Sequence, residues 1–175
     1  MVPREAVALS PSPSRRVGGP VWKPGDPTMT IGEMAERLRP IAPDLKATTI
    51  RLRHWTTQMM LLPVEKLHEG TGKHRLYAAD DLYSAAYLHT LTELGLNTST
   101  VRNLIDRHTI DSVTLVRFAV PKWRKTNGPL YMVISRSLAR TEVEVVRVEP
   151  KLATEDLTLI IDLARLFSRI KADAG

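Results

Sequence analysis

Apolar positions along this chain change their period partway, and the change divides it into elements. In "TIGEMAERLR", residues 30–39, Ile31, Met34, Ala35 and Leu38 recur at helical spacing on one face, which predicts a short helix. Thr30 is placed to cap it, Glu33 three positions on completes a capping box, and Pro40 stops it. The turn "PIAPD" follows. A second helix is expected from Lys46 or Ala47, with Ile50, His54 and Trp55 pointing inward beside Leu52 or Leu61, until Pro63 closes it. In "VEKLHEGTGKHRLY", Gly70 and Gly72 permit a tight reversal between two short strands, giving a β-wing with a basic tip. A third helix is expected from Asp80 or Asp81 to Leu94, with Gly95 as its stop, and a fourth from Thr98 or Ser99 with Val101, Leu104 and Ile105 as its stripe.

After residue 110 the texture turns β-branched. "SVTLVRFAV", "PLYMVIS" and "TEVEVVRVE" read as three strands, with Asn127-Gly128 as a turn between the first two. Residues 154–171 are expected as a last helix, capped by Thr154, with Leu157, Ile160, Ile161, Ala164, Phe167 and Ile170 as its apolar stripe and Leu163 and Leu166 widening it. That stripe exceeds what a lone surface helix needs, so it is expected to pack across the sheet, in a dimer interface, or both. The expected fold class is therefore α+β. A helical unit with a two-stranded wing occupies residues 29–110, and a small α+β unit of about three strands and a terminal helix occupies residues 111–175, for dimerisation or regulation. Residues 1–28, broken by Pro3, Pro11, Pro13, Pro20, Pro24 and Pro27, are expected as a flexible arm.

Composition narrows the chemistry. The 175 residues include no cysteine, which excludes disulfides, thiolate metal sites and cysteine nucleophiles. The formal net charge is +6, and residues 46–75 hold six basic against two acidic side chains, a local patch suited to an anionic partner. The five histidines show no metal spacing, no carboxylate pair has a general acid–base setting, and "GTG" at 70–72 is a turn rather than a phosphate cradle. An enzyme is not expected, nor a cofactor, a metal, a signal peptide or a membrane span.

The ordered set "TIGEMAERL", "ATTIRLRHW", "LLP", "GTGKHRLYAADDL" and "LHTLTELGLNTSTVRNLI" resembles the DNA-binding domain of the MerR family of bacterial regulators, over residues 29–106. Thr30 to Ala35 match the family's opening helix; Leu52, Arg53, His54 and Trp55 match its arginine and aromatic; Leu61, Leu62 and Pro63 match its leucine pair and proline. Gly72, Arg75 and Tyr77 match the end of the wing, Asp80 and Asp81 an acidic helix start, and Leu91, Leu94, Gly95 and Leu96 the segment behind it. The resemblance implies a winged helix-turn-helix whose second helix enters the major groove of double-stranded DNA. It also implies a homodimer on an inverted repeat, acting in the cytoplasm at the nucleoid, with contact to RNA polymerase or a small-molecule effector among the family's options. Three departures stand out. Met59 and Met60 occupy the place of the usual glycine, in a loop longer by one residue; the corner before helix two is long; and the chain after Asp106 turns to strands rather than one long helix.

On this reading Thr49 and Arg53 read bases, since arginine can bond bidentately to a guanine edge. Lys46, Thr48, Arg51, Lys73, His74 and Arg75 contact phosphate or make minor contacts. Two alternatives stay open: the arginines of helix two are solvated surface residues, and Arg75 pairs with Asp80 or Asp81. Trp55 and Tyr77 are read as core rather than base-stacking. The run "PKWRKTNG" offers Lys122, Trp123, Arg124 and Lys125 either as an extra DNA contact or as an ordinary hairpin with Trp123 folded back. The function expected is a sequence-specific transcriptional regulator. An excisionase-like architectural DNA-binding protein and a protein-interaction or assembly adaptor are the alternatives.

Overall fold

A computed structural model of the chain describes residues 23, 25–64, 75–106, 112–136, 141–147 and 157–171. Nearly all of the expected arm and the expected wing tip lie outside these residues.

The first helix, α1 (Ile31–Arg37), starts as the sequence expects. The Thr30 hydroxyl accepts the Glu33 N–H at 3.3 Å and the Glu33 carboxylate accepts the Thr30 N–H at 2.7 Å, a complete capping box. The Thr30 N–H, and then the Thr30 hydroxyl donating to the same carboxylate at 2.9 Å, hold the Glu33 carboxyl below its ordinary value. Helix α2 (Leu45–Thr57) begins one residue earlier than expected because Asp44, at its cap, accepts the Ala47 N–H at 2.9 Å. Its end explains the missing glycine. Met59 takes a left-handed φ of 58°, while the N–H groups of Met59 and Met60 bond to the carbonyls of Thr56 and Trp55. This is a Schellman closure with methionine where glycine is usual. Its reward is that Met60 and Leu61 swing into the core.

A two-stranded sheet pairs β1 (Thr28–Met29) with β2 (Tyr77–Ala78), antiparallel, joining the chain before α1 to the chain after the wing. The base of the wing closes through Val64 N–H to the Leu76 carbonyl at 2.9 Å. Helix α3 (Asp81–Glu93) is buried at ten positions and ends in a second Schellman closure, with Gly95 at φ 82° as expected. Helix α4 (Thr98–Asp106) follows.

Three expectations beyond residue 110 are corrected. The run "SVTLVRFAV" is not a strand but the start of helix α5 (Ser112–Thr126), which continues through "PKWRKT" with Pro121 inside it. Among its buried residues Val113, Val116, Val120 and Trp123 fall three or four apart, a helical spacing hidden by the β-branched composition. Asn127, expected in a hairpin turn, ends this helix with φ 48°. The first half of the expected last helix is instead a strand, β5 (Leu157–Asp162), and only Leu163–Lys171 forms helix α6. Asp162 supplies the boundary: its carboxylate accepts the Arg165 N–H at 2.8 Å. With β3 (Tyr131–Arg136) and β4 (Thr141–Val146), β5 makes an antiparallel sheet in the order β4-β3-β5, with Tyr131 opposite both Val146 and Asp162. The α+β class and the number of strands hold; the identity of one strand and the length of the last helix do not.

The core runs unbroken from Met29 to Ile170. Tyr83 of α3, Trp123 of α5 and Phe167 of α6 form a triad of edge-on contacts, with ring centroids 4.8 to 6.2 Å apart. Around it, Arg117 pairs with the buried Asp81, and Arg124 pairs with Asp80 at 2.7 Å and lies over the Tyr83 ring at 5.1 Å. Burial pushes the Asp81 carboxyl up from its ordinary value and Arg117 works against that.

Two stability predictions follow from this packing. Trp123→Ala should cost about 3–5 kcal/mol in a urea or guanidinium titration, because it empties the centre of the triad. Met59→Gly should raise stability by up to about 1 kcal/mol, since it relieves a left-handed side chain at a modest entropic cost.

Candidate nucleic-acid interface

Helix α2 hides Thr48, Leu52, Trp55 and Thr56 and turns the opposite side to solvent. Two of the four hidden residues are threonines, so hydrophobic periodicity alone misses the face. The Thr48 hydroxyl donates to the Asp44 carbonyl at 2.7 Å and leans toward that of Ala42 at 3.4 Å. The Thr56 hydroxyl donates to the Leu52 carbonyl at 2.9 Å, so the Tyr77 hydroxyl, 2.9 Å away, donates to Thr56. Ile50 and His54, expected inward, are exposed. Trp55 and Tyr77 are buried, as the core reading has it.

The outward side carries Lys46, Thr49, Arg53 and Thr57. An open groove of about 600 Å³ runs beside it, lined by Thr30, Ile31 and Gly32 at the start of α1, by Thr49, Arg53 and Thr57 of α2, and by Arg75 at the foot of the wing. Thr49 donates its hydroxyl to the Leu45 carbonyl at 2.8 Å, which leaves its methyl and oxygen lone pairs for another molecule. Arg53 and Arg75 are exposed, and among the described residues neither has an ion-pair partner. Arg75 does not pair with Asp80 or Asp81, which are held by Arg124 and Arg117. Thr30, Ile31, Gly32 and Thr57 are lining residues that the sequence did not mark as site candidates; they come together only once α1, α2 and the wing base are placed.

Other candidates sit elsewhere. Thr48 is buried and faces the corner rather than solvent, its hydroxyl donating to the Asp44 carbonyl. Arg51 is turned to α3, donating to Glu93 at 2.6 Å and to the His89 Nδ1 at 3.2 Å. Trp123 is in the core and Arg124 is engaged with Asp80 and Tyr83, so of the four residues offered as an extra contact only Lys122 and Lys125 are both exposed and outside these contacts. Of the expected dimer or core stripe, Ile161, Phe167 and Ile170 are buried in this chain's own core, Ile160 and Ala164 are half-buried, and Leu157 lies on β5. Lys73 and His74 lie outside the described residues.

The Arg51 contact fixes the tautomer of His89. A guanidinium can only donate, so Nδ1 is an acceptor and Nε2–H donates to the Ile41 carbonyl at 3.2 Å. Burial holds the imidazole below its ordinary pKa; the Ile41 carbonyl and Glu93 oppose this and Arg51 adds to it. The same Arg51 bond draws the Glu93 carboxyl down.

Short helix, corner, second helix with a free outer face, and a strand-closed wing base define a winged helix-turn-helix. The comparison with known families agrees: residues 29–108 match the MerR HTH family regulatory proteins. That match stops just before α5, and no curated protein matches the chain. Among the described residues no helix is long and apolar enough to cross a membrane, and no group of three or more metal-ligating side chains comes together.

The histidine gives a pH prediction. With its folded pKa depressed, His89 gains its proton more readily in the unfolded chain. Its share of stability is complete above about pH 6.5, the value of a free imidazole, and is lost as pH falls from there through the lower folded pKa. The urea midpoint should therefore drop between pH 7.5 and 5.5, and His89→Gln should shrink that drop while lowering the midpoint at pH 7.5.

Proposed function

We propose that this protein is a sequence-specific transcriptional regulator that binds an inverted-repeat operator in double-stranded DNA as a homodimer. The observation that carries the reading is the convergence of two arginines, Arg53 and Arg75, with no ion-pair partner among the described residues, on one open groove beside the exposed face of α2. Arg53 and Thr49 face outward from the helix that would enter the major groove and are the base-reading pair. Lys46, Arg75, Lys73 and His74 hold the sugar-phosphate backbone on either side. Residues 111–175 serve dimerisation or regulation, and the match of the N-terminal part to a family of regulators supports a cytoplasmic, nucleoid-associated role.

The test is selection of bound fragments from the source genome by the full chain at near-physiological salt. A shared inverted repeat upstream of genes is the expected result. Clustered sites coated cooperatively away from promoters would replace it with an architectural role, and no enriched sequence would remove sequence-specific binding altogether. On the recovered site, Arg53→Ala should cost about 1–3 kcal/mol and relax preference at one base position. Lys73→Ala should weaken binding to all sequences evenly and reduce the slope of affinity against salt by about one unit.

A further inference from the structure

Ile50 stands in an unusual place. A single exposed aliphatic side chain needs no explanation on an ordinary surface. This one is 57% exposed on α2, on the side opposite the buried Thr48, Leu52, Trp55 and Thr56. It shares the outer line with Lys46, Arg53 and Thr57, spaced four, three and four residues apart, so it projects between two cations. Among the described residues the other large exposed apolar side chains, Met59, Leu94 and Phe118, lie off α2. Nothing apolar on the helix continues the patch: the exposed neighbours are Lys46, Arg53, His54 and Thr57.

We propose that Ile50 is a specificity-determining residue that recognises thymine, packing its aliphatic side chain on the C5 methyl in the major groove. This rests on the regulator reading above and adds to it a second kind of contact, apolar beside the polar one of Arg53. The chemistry of the surroundings selects the partner. A protein docking site would need a contiguous apolar area, whereas here one apolar side chain is framed by positive charge. B-DNA offers the matching pattern: an isolated methyl group on a base edge, flanked by phosphates. Isoleucine also suits the task because branching at Cβ leaves it few rotamers to lose on contact.

The experiment uses the operator recovered by fragment selection, with each thymine replaced singly by uracil, which removes the methyl and leaves the base pair. Wild type and Ile50→Ala are compared on every duplex. Alanine at this exposed helical position should leave the denaturation midpoint no lower, which separates reading from folding. At one thymine in each half-site, uracil should weaken the wild type about three- to five-fold, the scale of a lost methyl contact. Ile50→Ala should lose a similar factor on the thymine duplex and be indifferent to uracil at that position. If every thymine-to-uracil change affects both proteins equally, or none affects the wild type, Ile50 does not read thymine and the regulator reading stands. If no fragment is enriched at all, the regulator reading falls and this inference falls with it.

Discussion

The orientation of α2 depends on how the backbone carbonyls of residues 40–44 are satisfied. Helix α1 ends at Arg37 and α2 starts at Leu45, so the Asp44 carbonyl joins the ladder of α2, accepting the Thr48 N–H at 2.9 Å, while those of Pro40 and Ile41 lie beyond both ladders. The partners come from three places. Arg169 of α6 donates to the Pro40 carbonyl at 2.8 Å, His89 of α3 to that of Ile41 at 3.2 Å, and Thr48 of α2 to that of Asp44 at 2.7 Å. The corner is thus held by side chains from α2, α3 and α6, and the free face of α2 follows from where those side chains sit.

Arg51 shows why charge alone does not mark a DNA contact. It stands two residues from Arg53 and has the same chemistry, yet it faces α3 rather than the groove. Its pair with Glu93 is partly exposed, so its direct worth is no more than about 1 kcal/mol. Its larger effect is to orient: it fixes the tautomer with which His89 reaches the corner. The basic patch on residues 46–75 is therefore shared between a residue that positions the helix and residues that face outward from it.

How much was legible in the sequence varies with how local the determinant is. The capping box of α1 and the stop at Gly95 were readable because Thr30 with Glu33, and glycine after an apolar stripe, act within a few residues. Arg53 and Thr49 were readable as candidates from the order of motifs around them. Arg51 was not, since its partner lies 42 positions away. Helix α5 was missed because Val113, Val116 and Val120 look like strand residues by type, and only their burial against α3 shows the helical period. Strand β5 was missed for the opposite reason. Leu157, Ile160 and Ile161 fit a helical stripe until β3 supplies hydrogen bonds along Leu157–Asp162. Methionine at position 59 hid a closure that chemistry assigns to glycine, and the downstream burial of Met60 and Leu61 accounts for it.

The family match ends near residue 108, but the packing does not. Helix α3 is buried at ten of its positions, Asp81, Ser84 and His89 among them, and a helix buried nearly all round needs neighbours on every side. One side presents His89 and Glu93 to Arg51 of α2; another presents Tyr83 to Trp123 and Phe167. Helices α5 and α6 therefore complete the burial that the matched segment begins. Because α6 also reaches the Pro40 carbonyl through Arg169, the C-terminal part touches the corner both directly and through α3. A displacement of α6 against α3 would have to break the aromatic triad, the Arg169 bond, or the corner's geometry. The first two are local losses; the third turns the outer face of α2. In this architecture the outward presentation of Arg53 and Thr49 is a property of the whole core, not of the helix-turn-helix alone.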